Sequence, residues 1–257
     1  MRAERVPSAS QRGPSQGSGR PLRAVLFDAG NTLLFLDYAR MAREVGVALG
    51  LPLTGEVLAS HATEAAQAME RATGNDGERA AVYLEALFRF SGVPAGRMPV
   101  VRDCLERMHR ERHLWCSVRE GTHKSLGRLR AAGLRLGIVS NSDGRVEQAL
   151  TASGLRDYFD VVIDSSLVGV EKPDPAIFLA ALDSLGVGPE EALYVGDLYE
   201  VDVVGARAAG IEAVLLTPSS SGPGRSCRTA GSIEELVDAL LPRETQMTPL
   251  SSPPGDR

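Results

Sequence analysis

The chain has 257 residues, 24% of them charged, with a formal net charge of −5. That length buries one good core and a smaller second unit, and the near balance of charge excludes the basic face of a general nucleic-acid binder. No apolar run approaches the roughly 18 residues of a membrane span, the N-terminus lacks the apolar core of a signal peptide, and the cysteines (Cys104, Cys116, Cys227) have no CxxC spacing, so a cytoplasmic protein with reduced thiols is expected.

Residues 1–21, rich in Ser, Gly, Pro, Gln and Arg, are predicted to be a disordered tail, because they offer too little apolar surface to offset the ordering entropy. Ala24–Asp28 (AVLFD) reads as a first strand. Residues 37–117 contain no convincing strand. Helices are expected there over Asp37–Leu49, Glu56–Thr73, Arg79–Phe90 and Pro99–His113, with Gly50, Pro52, Gly74, Gly77, Gly92 and Pro94 as breakers. Strands and helices then alternate. The strands are Leu134–Ser140, Asp160–Asp164, Ala192–Asp197 and Glu212–Thr217, short runs rich in Val, Leu and Ile that fit a parallel sheet buried on both faces. The helices are His123–Ala132, Arg145–Ser153, Pro175–Leu185 and Val201–Ala209, each followed by a glycine (Gly133, Gly154, Gly186, Gly210) that reads as a C-terminal stop. Residues 243–257, with Pro249, Pro253 and Pro254, read as a second disordered tail. The expected fold is α/β, a Rossmann-like three-layer parallel sheet. Residues 22–36 and 118–242 form its core, and the helical segment 37–117 is inserted after the first strand as a candidate cap.

The chemistry lies just beyond the strands, where parallel α/β sheets bind their ligands. The first strand ends in Asp28-Ala29-Gly30-Asn31-Thr32, the second in Ser140-Asn141-Ser142, and the fourth in Gly196-Asp197 with Asp202 five residues on. Lys172, one of only two lysines with Lys124, follows the third strand in VGVEKPDPAIF. Carboxylates, a hydroxyl and a lysine on one rim suit phosphoryl transfer. A carboxylate can attack phosphorus and divide a hard hydrolysis into two easier displacements, and the charge of the transition state calls for Mg²⁺, a lysine and backbone N–H groups.

In order, these segments resemble the four motifs of the haloacid dehalogenase superfamily, over about Ala24 to Thr217, and the helical insertion resembles the helical C1 cap of its subfamily I. The resemblance implies Asp28 as nucleophile, with Lys172 neutralising it and the phosphate. It implies Ala29, Ser140 and Asn141 around the transferred phosphoryl group, and a Mg²⁺ ion held by Asp28, the Gly30 carbonyl and Asp197. Thr32 and Asp202 would support this set, Asp202 by orienting Lys172 or a metal water.

One departure matters. Phosphatases of the family carry a second aspartate two residues after the nucleophile, as general acid–base. Here that position is Gly30, followed by Asn31, a residue that tolerates positive φ. Phosphonate cleavage through a cap lysine is excluded, because residues 33–117 contain no lysine. The expected function is a Mg²⁺-dependent phosphatase of a small phosphorylated metabolite with a non-standard acid. The alternatives are a 2-haloacid dehalogenase, although the GDxxxxD string is of the metal-binding type, and a degenerate member that binds without turnover. His61, Glu64, Glu70, His109 and His113 are insertion residues of a type that could supply the acid. His109 and His113 have a spacing that can hold a metal, yet no third ligand is evident beside them. Ser142 and Asp143 read as caps for the helix that follows. Substrate identity and oligomeric state are not legible.

Overall fold

β1 (Ala24–Phe27) is four consecutive fully buried residues, which puts it at the centre of a sheet covered on both sides. The structure, a computed structural model, describes residues 21–74, 76–217 and 226–241. The expected tails, 1–21 and 243–257, lie outside the described residues except for Pro21. β1 pairs in parallel with β4 (Arg135–Ser140) and β6 (Ala192–Gly196). Further out lie β5 (Val161–Asp164), β7 (Glu212–Leu216) and β8 (Arg228–Ala230), giving the order β5-β4-β1-β6-β7-β8, parallel throughout.

The period of two in the strands separates two cores. Val25 and Phe27 of β1 and Leu193 and Val195 of β6 face one cluster, covered by α6 (Thr122–Ala131), α7 (Val146–Ala152) and α11 (Ile233–Leu240). Ala24, Leu26, Ala192 and Tyr194 face the other, under α9 (Pro175–Leu185) and α10 (Val204–Ala208). The result is the three-layer arrangement expected from the sequence.

Between β1 and α6 the chain makes a separate helical insert: α1 (Tyr38–Leu49), α2 (Gly55–Ser60), α3 (Ala62–Glu70), α4 (Asp76–Phe90) and α5 (Met98–Glu111). It has its own core, including Met41, Leu58, Leu87, Phe88 and Met108. The expected helix over Glu56–Thr73 is two helices, because the backbone leaves helical geometry at His61 (φ −99°, ψ 7°). Contrary to expectation, the 37–117 stretch also contains a strand, β3 (Trp115–Ser117). It pairs antiparallel with β2 (Phe35–Leu36) where the chain enters and leaves the insert. Elements of two and three residues are too short to produce an alternating pattern. Trp115 packs against both the insert core and the sheet core. A short helix, α8 (Ser165–Val168), follows β5. Among the described residues no helix is long and apolar enough to cross a membrane.

Candidate active site

The C-terminal ends of β1, β4 and β6 open into a cavity of about 510 Å³, lined on the sheet side by Asp28, Ser140, Asn141, Lys172, Asp197 and Asp202. Residues from four distant stretches of sequence therefore meet in one place. Lys172 Nζ is its hub. It donates to Asp28 Oδ1 at 2.6 Å, Asp202 Oδ1 at 2.8 Å and the Tyr194 hydroxyl at 3.1 Å. The three donors of the ammonium are thereby all used. Its backbone is held as firmly. Asn141 Oδ1 accepts from Lys172 N at 2.7 Å, and Asn141 Nδ2 donates to the Lys172 carbonyl at 3.0 Å.

Asp202 is oriented by a π-helical turn over Tyr199–Val203. This replaces the first turn of the helix expected over Val201–Ala209, and such turns recur at functional sites. Within it Asp202 Oδ2 accepts from Leu198 N at 2.9 Å, while Oδ1 accepts from the Tyr194 hydroxyl at 2.9 Å. Gly196 makes room for that fold-back, since a Cβ there would lie 2.3 Å from Asp202 Cγ.

The charges are unevenly matched. Desolvation works against the Lys172 ammonium, but Asp202 and Asp28 outweigh it and hold the group charged well above the ordinary lysine range. Burial pushes the Asp28 carboxyl up to about 6 against the pull of Lys172. Asp197 is pushed well up by desolvation, then by the Asp28 and Asp202 carboxylates. Carboxylate oxygens of Asp28, Asp197 and Asp202 lie within 4.8 Å of one another. With one lysine among three carboxylates, this all-oxygen donor set fits a hard divalent cation such as Mg²⁺.

A family model described as haloacid dehalogenase-like hydrolase matches residues 22–210. The chain belongs to the haloacid dehalogenase-like hydrolases. It is similar to haloacid dehalogenase-like hydrolase domain-containing protein 3 of Mus musculus, 43% identical over 133 residues that make up 51% of this chain and 53% of that protein. The Bos taurus counterpart is 32% identical over 210 residues, 76% of this chain and 82% of its own length. The chain is also similar to a phosphoserine phosphatase of Thermus thermophilus, 35% identical over 168 residues, 65% of each. It thus spans about half of the mouse relative and just under two thirds of the Thermus one. Among solved structures, a HAD phosphatase from Thermococcus onnurineus is 28% identical, with a TM-score of 0.54 over 85% of this chain and 98% of that one.

In this hydrolase the loop after Asp28 is tight. Leu33 N and Leu34 N both donate to the Ala29 carbonyl, and Asn31 takes φ 54°, the conformation for which Asn substitutes for glycine. Thr32 is buried, and its hydroxyl has no hydrogen-bond partner among the described residues. Among the described residues no carboxylate comes within 4 Å of a Cβ at Gly30. A Cβ built there meets the Trp115 ring edge at 3.8 Å, and Trp115 Nε1 donates to Asn31 Oδ1 at 3.2 Å. Of the insertion residues weighed as acids, His109 and His113 line the cavity, and the Glu70 side chain lies outside the described residues. His61 instead pairs with Glu64.

Three residues escaped the sequence reading. Tyr194 holds both Lys172 and Asp202; its only signal is a phenol inside an otherwise apolar strand. Arg79 of α4 lines the cavity beside Met69, and no spacing places it there. Asp143 is not a cap for α7. That task falls to Asp164, which accepts from Gly144 N, Val146 N and Ser166 N, while Asp143 accepts from His109 Nε2 at 2.8 Å.

Proposed function

We propose that this hydrolase is a Mg²⁺-dependent phosphatase of a small phosphorylated metabolite, acting in the cytoplasm through a phosphorylated Asp28. The observation that carries the reading is the 2.6 Å contact of Lys172 Nζ with Asp28 Oδ1 on a cavity wall that also holds the Asp197 carboxylate. In this reading Asp28, Asp197 and the Gly30 carbonyl hold the ion. Residues 22–36 and 118–242 are the catalytic core, and 37–117 is a cap that selects substrate and excludes water. When bound, the ion supplies positive charge that shields Asp28 from the incoming phosphate and offsets charge on the group in flight.

The protein's own residues do the rest. Lys172 occupies Asp28 Oδ1, which leaves Oδ2 to attack phosphorus. The Asp28 Oδ–P bond forms as the ester P–O bond breaks, and the leaving oxygen departs with its electron pair. The Ser140 hydroxyl, the backbone N–H groups of Ala29 and Asn141, and Lys172 steady the transferred phosphoryl oxygens. Asp202 and Asn141 keep Lys172 in position, and Thr32 supports the nucleophile loop. Water then attacks the phosphorylated Asp28 at phosphorus, which releases phosphate and restores the carboxylate. With glycine at position 30 the general acid–base usual two residues after the nucleophile is missing, a loss worth roughly 10²–10⁴-fold. Low-pKa leaving groups, such as acyl phosphates, are therefore the favoured substrates.

The relatives named as phosphatases and the three-carboxylate set support this reading over carbon–halogen cleavage, which expels halide without a cation. The test is a panel of phosphate esters and acyl phosphates with and without Mg²⁺, beside Asp28→Asn. Phosphate release that needs Mg²⁺ and disappears in Asp28→Asn is expected. Release unaffected by EDTA or by the substitution sinks the proposal, and EDTA-resistant halide release from a 2-haloacid transfers it to the dehalogenase reading.

A further inference from the structure

The spacing of His109 and His113 lacks a third ligand in the sequence, and the fold supplies one. Asp143, from the loop after β4, reaches across to them. His109 Nε2 lies 2.8 Å from Asp143 Oδ2, and His113 Nε2 lies 3.9 Å from Asp143 Oδ1. The two imidazole centroids are 4.5 Å apart, and one ligand atom from each of the three residues falls within 4.8 Å of the others. Ligands at 2.0–2.2 Å from a common ion sit about 3–3.5 Å from one another, so even the widest separation closes when each of the two side chains moves by under an ångström.

We propose that His109, His113 and Asp143 form a second metal site, for a zinc-class ion, that fastens the helical insert to the sheet core at the cavity wall. Two imidazoles and one carboxylate suit Zn²⁺, Co²⁺ or Ni²⁺, whereas Mg²⁺ prefers the all-oxygen set around Asp28. The Arg145 guanidinium beside the cluster, which donates to the His109 carbonyl at 2.8 Å, disfavours ions held by charge alone and leaves those held by imidazole bonding. All three side chains line the cavity that contains Asp28, so the remaining coordination positions face the substrate chamber. This is the open form of a three-ligand site rather than the closed four-ligand structural form.

The neighbouring hydrogen bonds set the cost. His113 Nδ1 lies 3.2 Å from the Trp115 carbonyl. In the tautomer that donates to it, Nε2 is ready to bind, the usual outer-shell arrangement of a metal histidine; that tautomer gives up the alternative bond in which Nδ1 accepts from Trp115 N at 3.2 Å. His109 needs a change. Its Nδ1 accepts from Leu114 N at 3.3 Å, so binding through Nε2 moves the ring proton to Nδ1 and gives up that long bond. Asp143 exchanges the proton of His109 for the ion.

The test uses the full chain, stripped of metal, in an Asp197→Asn background that removes the oxygen site. Co²⁺ is titrated and followed by its visible d–d absorption, and Zn²⁺ by calorimetry. One equivalent is expected to bind at micromolar concentration or below, without competition from millimolar Mg²⁺. Affinity is expected to fall at least tenfold when His113→Gln or Asp143→Asn is added. Asp143 is 45% exposed, so its substitution leaves the fold intact. Absence of saturable Co²⁺ binding, or binding in the two variants as tight as in the Asp197→Asn parent, overturns the proposal. No arm of the test depends on turnover, so this site stands or falls apart from the phosphatase reading.

Discussion

Lys172→Met probes the arrangement on which the site depends. The substitution keeps the length of the side chain and removes its charge. Asp28 and Asp202 then lose the cation that now sits 2.6 and 2.8 Å from their oxygens. Tyr194 loses a partner at 3.1 Å. Removing one member of a buried ion pair costs about 3–5 kcal/mol, because the partner charge stays behind. Each kcal/mol lowers the melting temperature of a body this size by roughly 2–4 °C, so a drop of roughly 6–20 °C is expected at pH 7.5 without Mg²⁺. The sign of its pH dependence follows. Without the lysine, the folded-state pKa of Asp28, already pushed up to about 6 by burial, rises further above its unfolded value. The stability so linked is complete below about pH 4 and is lost as pH rises through the folded value. Lys172→Met should therefore recover part of its deficit between pH 7.5 and pH 5. Adding Asp202→Asn should restore part of it at neutral pH, because neighbours in one network are not additive. Urea melts of the single and double variants measure both effects. Equal stability of Lys172→Met and the parent at pH 7.5, or a deficit that grows on acidification, would refute the reasoning.

Gly30→Asp should raise turnover on alkyl phosphates by about 10²-fold or more, since a Cβ at position 30 meets nothing nearer than Trp115 at 3.8 Å and an acid there supplies the missing proton; kcat on matched alkyl and acyl phosphates checks this, and an equal gain on both would contradict it. Gly196→Ala should displace Asp202, whose Cγ lies 2.3 Å from the new Cβ position, at a cost of roughly 1–3 kcal/mol and most of the activity. Thermal melts and assays of that variant should show both losses together. Mg²⁺ should raise the melting temperature more at pH 7.5 than at pH 5. The Asp28 carboxyl, pushed up to about 6 by burial, contributes stability that is present below its unfolded value and lost as pH rises through 6, and it is the deprotonated form that receives the ion. An equal thermal shift at the two pH values would count against Asp28 as a ligand.

Much of this arrangement was legible before folding. The five apolar runs became β1, β4, β5, β6 and β7 with ends shifted by a residue at most, because strands buried on both faces of a parallel sheet must be continuously apolar. Their order placed Asp28, Ser140 and Asp197 at one rim, since a parallel sheet sends every strand end to the same side. β2, β3 and β8 escaped, being two or three residues long. The split of α2 from α3 escaped as well, because the apolar pattern runs through it.

What the sequence determined by itself is local and periodic. It set which runs are strands, which stretches are helices, and which polar residues follow each strand. What only the tertiary structure decided is pairing between residues far apart in the chain: Tyr194 with Lys172 and Asp202, Asn141 with the Lys172 backbone, Trp115 above Gly30, and Asp143 against His109 and His113. The physical reason is that a side chain's partner depends on crossover geometry and on how the insert rests on the core. These are sums of many weak packing contacts that leave no fixed spacing in the sequence to read.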